Sequence, residues 1–201
     1  MAAVTTRAGS IIQDPPLVQR ILNDRRAAWL WLLPRIWLGY QWIEAAMHKV
    51  GNEAWTAGGA ALQGYWLNAV AIPETGRPSI AFDWYRSFLE LLLDAQGYTW
   101  FAKLVAYGEL LIGIALIIGA FTGIAAFFGA FMNLNFMLAG SASTNPVLFT
   151  VAVGLILAWK VSGHIGADVV LLRWIGTPWR GGSESEVQIS RTTEISAVSS
   201  A

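Results

Sequence analysis

The longest uncharged stretch of the chain covers residues 110–159 and reads LLIGIALIIGAFTGIAAFFGAFMNLNFMLAGSASTNPVLFTVAVGLILAW. These fifty residues include no Asp, Glu, Lys, Arg or His. A helix rises about 1.5 Å per residue and the hydrocarbon layer is about 30 Å thick, so one crossing takes roughly 20 residues. Turn-forming residues interrupt the stretch at 119–123 and 140–146. The stretch therefore predicts three membrane-spanning helices joined by tight turns.

A fourth apolar segment lies earlier in the chain and carries Arg35 and Glu44 among many Trp, Leu and Ile residues. It is of span length and lacks a small-residue cleavage site after it, so we expect it to remain as a signal anchor. The predicted fold is an all-α membrane protein with a four-transmembrane-helix bundle. The predicted spans lie near residues 29–48, 100–119, 123–140 and 147–164. The composition agrees, since 55% of the residues are hydrophobic and 13% are charged.

Basic residues flank the four predicted spans on one side of the membrane. Before the first span and at or after the last one stand Arg7, Arg20, Arg25, Arg26, Lys160, Arg173 and Arg180. The long first loop is mainly acidic. Because Lys and Arg mark cytoplasmic ends, both termini are predicted to be cytoplasmic and the first loop to lie on the outer side.

The first loop is predicted to form an outer cap, residues 50–98, of interfacial amphipathic helices. Asn52 is expected to cap a helix that runs to Val70, and Ser79 a second helix that Gly97 ends. The remaining domains are a cytoplasmic segment, residues 1–28, with a short amphipathic helix, and a membrane domain, residues 29–180, that includes the cap. The Ser-, Thr- and Glu-rich residues 181–201 are predicted to be disordered.

The absence of cysteine excludes several classes of redox protein. A quinone-linked thiol oxidase, an iron–sulfur carrier and a zinc thiolate site all require cysteines. His48 and His164 are expected at opposite membrane faces, about 25–30 Å apart, and cannot ligate one haem iron. No haem, metal or flavin site is evident. A net charge of +0 gives no reason to expect nucleic-acid binding.

A few polar residues are predicted to lie at membrane depth. Glu109 falls within the second span, and an ionised carboxylate there costs at least about 2.5–3.5 kcal/mol. It is either a proton-exchanging group or a structural hydrogen-bond partner of Asn133. Asn133 belongs to a stripe of small residues on the third span and is expected to point into the bundle. Its role there is either functional or limited to packing between helices. Asn135 lies on another side of the helix.

The first span has two polar faces, and either could carry function. Arg35, Gly39, Trp42, Ala46 and Lys49 share one face, whereas Gln41, Glu44 and His48 share the other. Arg35 and Lys49 have an alternative role as anchors whose charges reach the membrane interfaces. The alternative for His48 is an interfacial hydrogen bond with Glu44.

Four motifs in chain order resemble the DoxX family. They are Arg35-Ile-Trp-Leu-Gly39 followed by Lys49, Gly108-Glu109-Leu-Leu-Ile-Gly113, Gly119-Ala-Phe-Thr122 and Gly163-His-Ile-Gly-Ala-Asp168. With its outer loop, the chain is most similar to the DoxD branch, the membrane subunit of thiosulfate:quinone oxidoreductase. The resemblance covers residues 35–179. It implies a protein of the prokaryotic cytoplasmic membrane that passes electrons from a small reductant, thiosulfate or a similar sulfur compound, to quinone.

The resemblance also implies a site for each substrate. An apolar cleft with a proton-exchanging group suits a quinone, and we assign Glu109 as the catalytic residue, with Asn133, Trp42 and Arg35 completing the quinone site. A dianion requires cations, and the candidates on the outer side are Lys49, His48, Arg77, Arg86 and Lys103. The expected partners are the bilayer, quinone and an outer-side subunit, in a homo- or hetero-oligomer.

Two other function classes remain open. The chain is alternatively a non-catalytic membrane scaffold that docks a soluble redox partner, with Glu109 and Asn133 holding the bundle together. A small transporter is the third interpretation, although a bundle with so few charged groups offers little to line a path.

Overall fold

The structure is a computed structural model that describes residues 14–175 and two short strands near the N-terminus. The strands, β1 (Val4–Thr5) and β2 (Ile11–Ile12), pair antiparallel. All other regular structure within these described residues is helical, which confirms the predicted all-α class. The helices are α1 (Pro16–Leu22), α2 (Ala28–Val50), α3 (Glu53–Thr56), α4 (Ala60–Val70), α5 (Asp83–Asp94), α6 (Tyr98–Ile118), α7 (Thr122–Leu138), α8 (Asn145–Leu157), α9 (Trp159–Ser162) and α10 (Asp168–Ile175).

The long helices α2 and α6 pack closely along their length because glycines face each other at their crossing. A Cβ at Gly39 would lie 3.0 Å from the carbonyl oxygen of Gly113, and a Cβ at Gly113 would lie 2.6 Å from Cγ1 of Ile43. Neither position accepts a side chain without a shift of the backbones. This contact sets the distance between the two helices that carry Lys49 and Glu109.

The core of the bundle lies between α2, α6, α7 and α8. Its buried members are Leu38, Trp42, Ile112, Leu116, Ala125, Ala126, Ala130, Leu148, Ala152 and Leu155. Alanines dominate the inward face of α7, as expected for helices that approach closely. The helix after Asn145 is interrupted at Ala158, so that the fourth predicted span consists of α8 and α9.

Helices α3, α4 and α5 cover the end of the bundle at which α2 finishes, which we call the cap end. Asn52 caps α3 as predicted, its Oδ1 accepting a 2.9 Å hydrogen bond from the N–H of Ala54. The helix expected to run from this cap to Val70 is instead divided into α3 and α4, because Gly59 adopts the left-handed conformation between them. The predicted cap at Ser79 is wrong, because α5 begins at Asp83. Ser79 contacts Gly140 instead, where a Cβ would lie 2.6 Å from the Ser79 carbonyl oxygen. The cap therefore rests directly on the turn between α7 and α8.

Among the described residues, α6 is the one helix long and apolar enough to cross a membrane by itself. Helices α7 and α8 are apolar but shorter. The short helix predicted within residues 1–28 is present as α1. The predicted C-terminal tail and its boundary with the bundle lie outside the described residues, as do Arg7 and Arg180.

Candidate functional site

A cavity of about 510 Å³ opens at the cap end, between α2, α6, α7, the start of α8 and the cap. Its lining mixes apolar side chains with an unusual share of polar ones. The polar and aromatic lining residues include Gln41, Trp42, Glu44, His48, Lys49, Trp55, Tyr65, Glu109, Asn133, Ser141, Ser143, Thr144 and Asn145. In a chain with 13% charged residues, this concentration marks the cavity as the candidate site.

An ion pair between α2 and α6 lies in this cavity. Lys49 Nζ donates a 2.8 Å hydrogen bond to Oε2 of Glu109 and a 3.1 Å hydrogen bond to the carbonyl oxygen of Ala45. The Glu109 side chain is 1% exposed, whereas that of Lys49 is 18% exposed. The Lys49 ammonium also lies 5.3 Å from the ring centroid of Trp55. Lys49 therefore compensates the buried carboxylate and connects it to the more open part of the cavity.

Two buried side chains of the lining have polar atoms without partners. Neither Nδ2 nor Oδ1 of Asn133, nor Nε1 of Trp42, makes a hydrogen bond within the described part of the chain. Asn133 is 0% exposed and Trp42 is 2% exposed. Buried polar groups are normally paired, because an unmade hydrogen bond there costs about 1–3 kcal/mol. An amide and an indole left in this state are available for a ligand.

The cavity has an exposed mouth and a buried floor. Glu44, His48 and Ser143 are exposed, whereas Trp42, Glu109 and Asn133 are buried. The structure therefore brings together three of the four residues predicted for the quinone site and places Lys49 and His48 in the same cavity. Asn133 points into the bundle as predicted, but it is not hydrogen-bonded to Glu109.

The other cations predicted to bind an anion do not line this cavity. Arg77 and Lys103 are exposed. Arg86 donates to Oδ1 of Asp83 at 2.8 Å and to the carbonyl oxygen of Ile80 at 2.9 Å. Lys49 is paired with Glu109, and the other three cations lie outside the cavity. The predicted cations therefore do not form one anion-binding site in the described part of the chain.

Arg35 is the fourth residue predicted for the quinone site, and the structure places it at the opposite end of the bundle. Its guanidinium donates to the carbonyl oxygens of Ser162, at 2.9 Å, and Ile165, at 2.7 Å. The residue is 2% exposed, so it is not the interfacial anchor considered as its alternative. Arg35 ties α2 to the end of α9 and to the segment after it.

Asp168 completes the arrangement around Arg35. Its two carboxylate oxygens accept hydrogen bonds from the N–H groups of Phe121 and Thr122, at the start of α7. Its negative charge also interacts favourably with Arg35. Gly119, at φ +68°, and Gly163 leave no room for a Cβ, because it would collide with Arg35 or Asp168 respectively. Arg35, Asp168 and the turn at Gly119 therefore meet in a polar cluster that joins the helix ends.

Sequence reasoning missed Tyr65 and the turn residues from Ser141 to Asn145. The sequence pattern assigns Tyr65 no role in a site and predicts only a turn at 140–146. The local sequence has no signal that brings α4 against this turn. The contact depends on the packing of the cap, in which Trp66 stacks edge-to-face on Phe101 with ring centroids 5.7 Å apart.

No set of three or more His, Asp and Glu side chains in the described residues could hold a metal ion. Comparison with known proteins gives no match: no protein-family model matches the chain, and no curated protein or solved structure is significantly similar to it.

Proposed function

We propose that the chain is a membrane protein in which α2, α6, α7 and the α8–α9 pair each cross the bilayer. Helix α2 has 23 residues and α7 has 17, which correspond to about 34 Å and 26 Å at the usual helical rise. Both lengths are within the range of membrane-spanning helices. Helices α8 and α9 are separated only by Ala158 and together cover residues 145–162, in which Lys160 is the one charged residue.

The outward faces of these helices support a lipid environment. Large apolar side chains are exposed on every one of them, among them Leu30, Leu33 and Tyr40 on α2, Leu104, Leu111 and Ile118 on α6, Phe127, Phe128 and Phe131 on α7, and Val147 and Leu157 on α8. Contiguous apolar surface of this kind is unfavourable in water and favourable against acyl chains. The polar groups of the bundle lie mainly inside it or at its ends.

We further propose that the cavity binds a quinone and that the protein is a membrane subunit of a quinone-linked oxidoreductase. The observation that carries this proposal is the unpartnered Asn133 and Trp42 beside the Lys49–Glu109 ion pair. A quinone carbonyl can accept a hydrogen bond from the indole or the amide. The amide can also accept one from the hydroxyl of the quinol, so Asn133 suits both redox states.

The electrons and protons of the proposed reaction balance when the reductant is thiosulfate. Two thiosulfate ions form one S–S bond to give tetrathionate and release two electrons. The quinone takes these two electrons and two protons to become the quinol. Glu109 and Lys49 can exchange protons with the quinone oxygen, and the exposed mouth near His48 supplies replacements from water. The choice of thiosulfate or a similar reductant, and of an outer-side partner subunit, rests on the DoxX resemblance alone.

The test is an assay of the protein purified from membranes together with its bound partners. We expect thiosulfate-dependent reduction of a short-chain benzoquinone. Glu109→Gln keeps the shape of the side chain but cannot exchange a proton, so the rate should fall by about 10²-fold or more. Glu90→Gln is the matched control, because Glu90 is an exposed carboxylate on the cap.

Three results would contradict the proposal. An unchanged rate in Glu109→Gln, with stability lost only in Glu109→Leu, would assign Glu109 a packing role. A stable partner without quinone-dependent activity would support the scaffold, whereas flux in liposomes without a redox requirement would support a transporter.

A further inference from the structure

The cap contributes a tyrosine to the cavity. Tyr65 lies on α4 and lines the cavity together with Leu62 from the same helix. Its hydroxyl oxygen is buried and has no well-formed hydrogen bond in the part of the chain that the structure describes. A buried hydroxyl without a well-formed hydrogen bond is unfavourable unless another group completes its bonding.

The surroundings of Tyr65 keep its hydroxyl protonated. Burial raises the pKa of Tyr65, and the nearby side chain of Ser141 lowers it by a smaller amount. At neutral pH the phenol therefore carries its proton and can donate a hydrogen bond. Ser141 belongs to the turn between α7 and α8 and also lines the cavity. The hydroxyl is thus positioned where the cap meets the bundle.

A second cap tyrosine provides a contrast. The hydroxyl of Tyr85, on α5, lies 3.1 Å from the backbone oxygen of Asn135 and 3.2 Å from its Oδ1. Tyr85 is buried, and it does not line the cavity. Its hydrogen bond joins the cap to α7. Of the two tyrosines, one hydroxyl is used in the fold and the other is left available.

The cap is held firmly enough to position Tyr65. Gly59 precedes α4 at φ +75°, and a Cβ there would collide with the carbonyl group of Tyr98 at the start of α6. Leu62, Trp66 and Ala69 are buried in one cluster with Ala102 of α6 and Ala139 after α7. Helix α4 therefore cannot move far without disrupting packed contacts.

We propose that Tyr65 is a ligand-binding residue that donates a hydrogen bond to one carbonyl oxygen of the quinone, while Trp42 and Asn133 bind the other. This inference rests on the proposed function. A para-quinone has two carbonyl groups on opposite sides of its ring, and the cavity has hydrogen-bonding groups at its floor and beneath the cap. The cap is then part of the binding site and contributes to its choice of ligand.

The test compares Tyr65→Phe with Tyr85→Phe, since each change removes one hydroxyl from the cap. The dissociation constant of a short-chain benzoquinone is measured by calorimetry on the purified full chain, and thermal unfolding is measured without ligand. Tyr65→Phe should weaken binding by about threefold to tenfold, the scale of one neutral hydrogen bond. Its midpoint of unfolding should be unchanged or higher. Tyr85→Phe should show the opposite pattern, with a lower midpoint and unchanged binding.

The outcomes separate this inference from the function on which it rests. If the wild-type chain binds the quinone and Tyr65→Phe binds equally well, the role of Tyr65 is refuted and the quinone site stands. Equal weakening by the two variants would also refute it, because a general loosening of the cap would then explain both. If the wild-type chain binds no quinone, the proposed function fails and this inference fails with it.

Discussion

Lys49 Nζ lies 2.8 Å from Oε2 of Glu109, a contact between residues 60 positions apart in the chain. The two residues were predicted to serve different substrates, Lys49 an anion and Glu109 a quinone. Their contact means that neither charge acts alone. A ligand in this cavity meets a compensated pair, and any anion that binds Lys49 must compete with Glu109. The pair therefore favours a neutral ligand over a dianion.

Removing both charges of the ion pair should lower the free energy of unfolding less than removing Lys49 alone. Lys49→Met leaves Glu109, which is 1% exposed, without its partner and should cost about 3 kcal/mol of unfolding free energy. Adding Glu109→Gln removes the stranded charge, so the double variant should recover about half of the loss or more. A double-mutant cycle of unfolding free energies in detergent measures this. Additive losses would show that the pair is not coupled.

Asn133→Leu should raise stability while it removes binding. Both polar atoms of the amide are unpartnered in the described structure, so an apolar side chain of similar volume should stabilise the free protein by roughly 1 kcal/mol. The same change removes a hydrogen-bonding group from the floor of the cavity. Thermal unfolding and quinone titration of one preparation check both effects. Loss of stability in Asn133→Leu would indicate a packing role.

Substitutions in the polar cluster around Arg35 and Asp168 should lower stability and leave quinone binding unchanged. Asp168→Ala removes two hydrogen bonds to the start of α7 and leaves Arg35, which is 2% exposed, without its nearby opposite charge. We expect a loss of about 3 kcal/mol or more and an unchanged dissociation constant for quinone. Asp83→Ala is the control, since it breaks an ion pair whose carboxylate is 94% exposed, and such pairs contribute about 1 kcal/mol at most. A selective loss of binding in Asp168→Ala would link this end to the site.

The free energy of unfolding should fall at high pH, where the buried phenol of Tyr85 ionises. Burial, with a smaller contribution from nearby Tyr65, raises the pKa of Tyr85 to about 12 from the usual value of 10.0. Because the folded-state pKa is raised, the stabilisation is complete below pH 10 and is lost as the pH rises towards 12. The free energy of unfolding of wild type minus that of Tyr85→Phe, measured from pH 8 to the alkaline limit, should decrease over this window. A difference independent of pH would contradict the assigned environment.

The predicted orientation in the membrane rests on the basic flanks and is tested with reporter fusions. A reporter inserted at Thr75, in the exposed loop of the cap, should be on the outer side, and one placed after Gly181 should be cytoplasmic. A cytoplasmic position for Thr75 would move the mouth of the cavity to the other face of the membrane. The reductant and its partner subunit would then have to approach from the cytoplasm.

The positions of the helices were largely predictable because they depend on local patterns. The uncharged residues 110–159, interrupted at Gly119 and Gly140, specify helices α7 and α8 and the end of α6 within a few residues. Apolar runs and turn-forming residues act over short distances along the chain, so a sequence records them directly. The inward direction of Asn133 was predicted for the same reason, since it follows from helical spacing.

The partners of the polar residues depended on tertiary packing. Arg35 and Lys49 share one predicted face of α2, yet Arg35 binds the segment after α9 and Lys49 binds Glu109. Their separation along a helix of 23 residues places them at opposite ends of the bundle, where different helices meet α2. Tyr65 joins the cavity because α4 packs over the turn at Ser141. Helical periodicity defines the direction of each side chain, but only the packing of distant helices determines what it contacts.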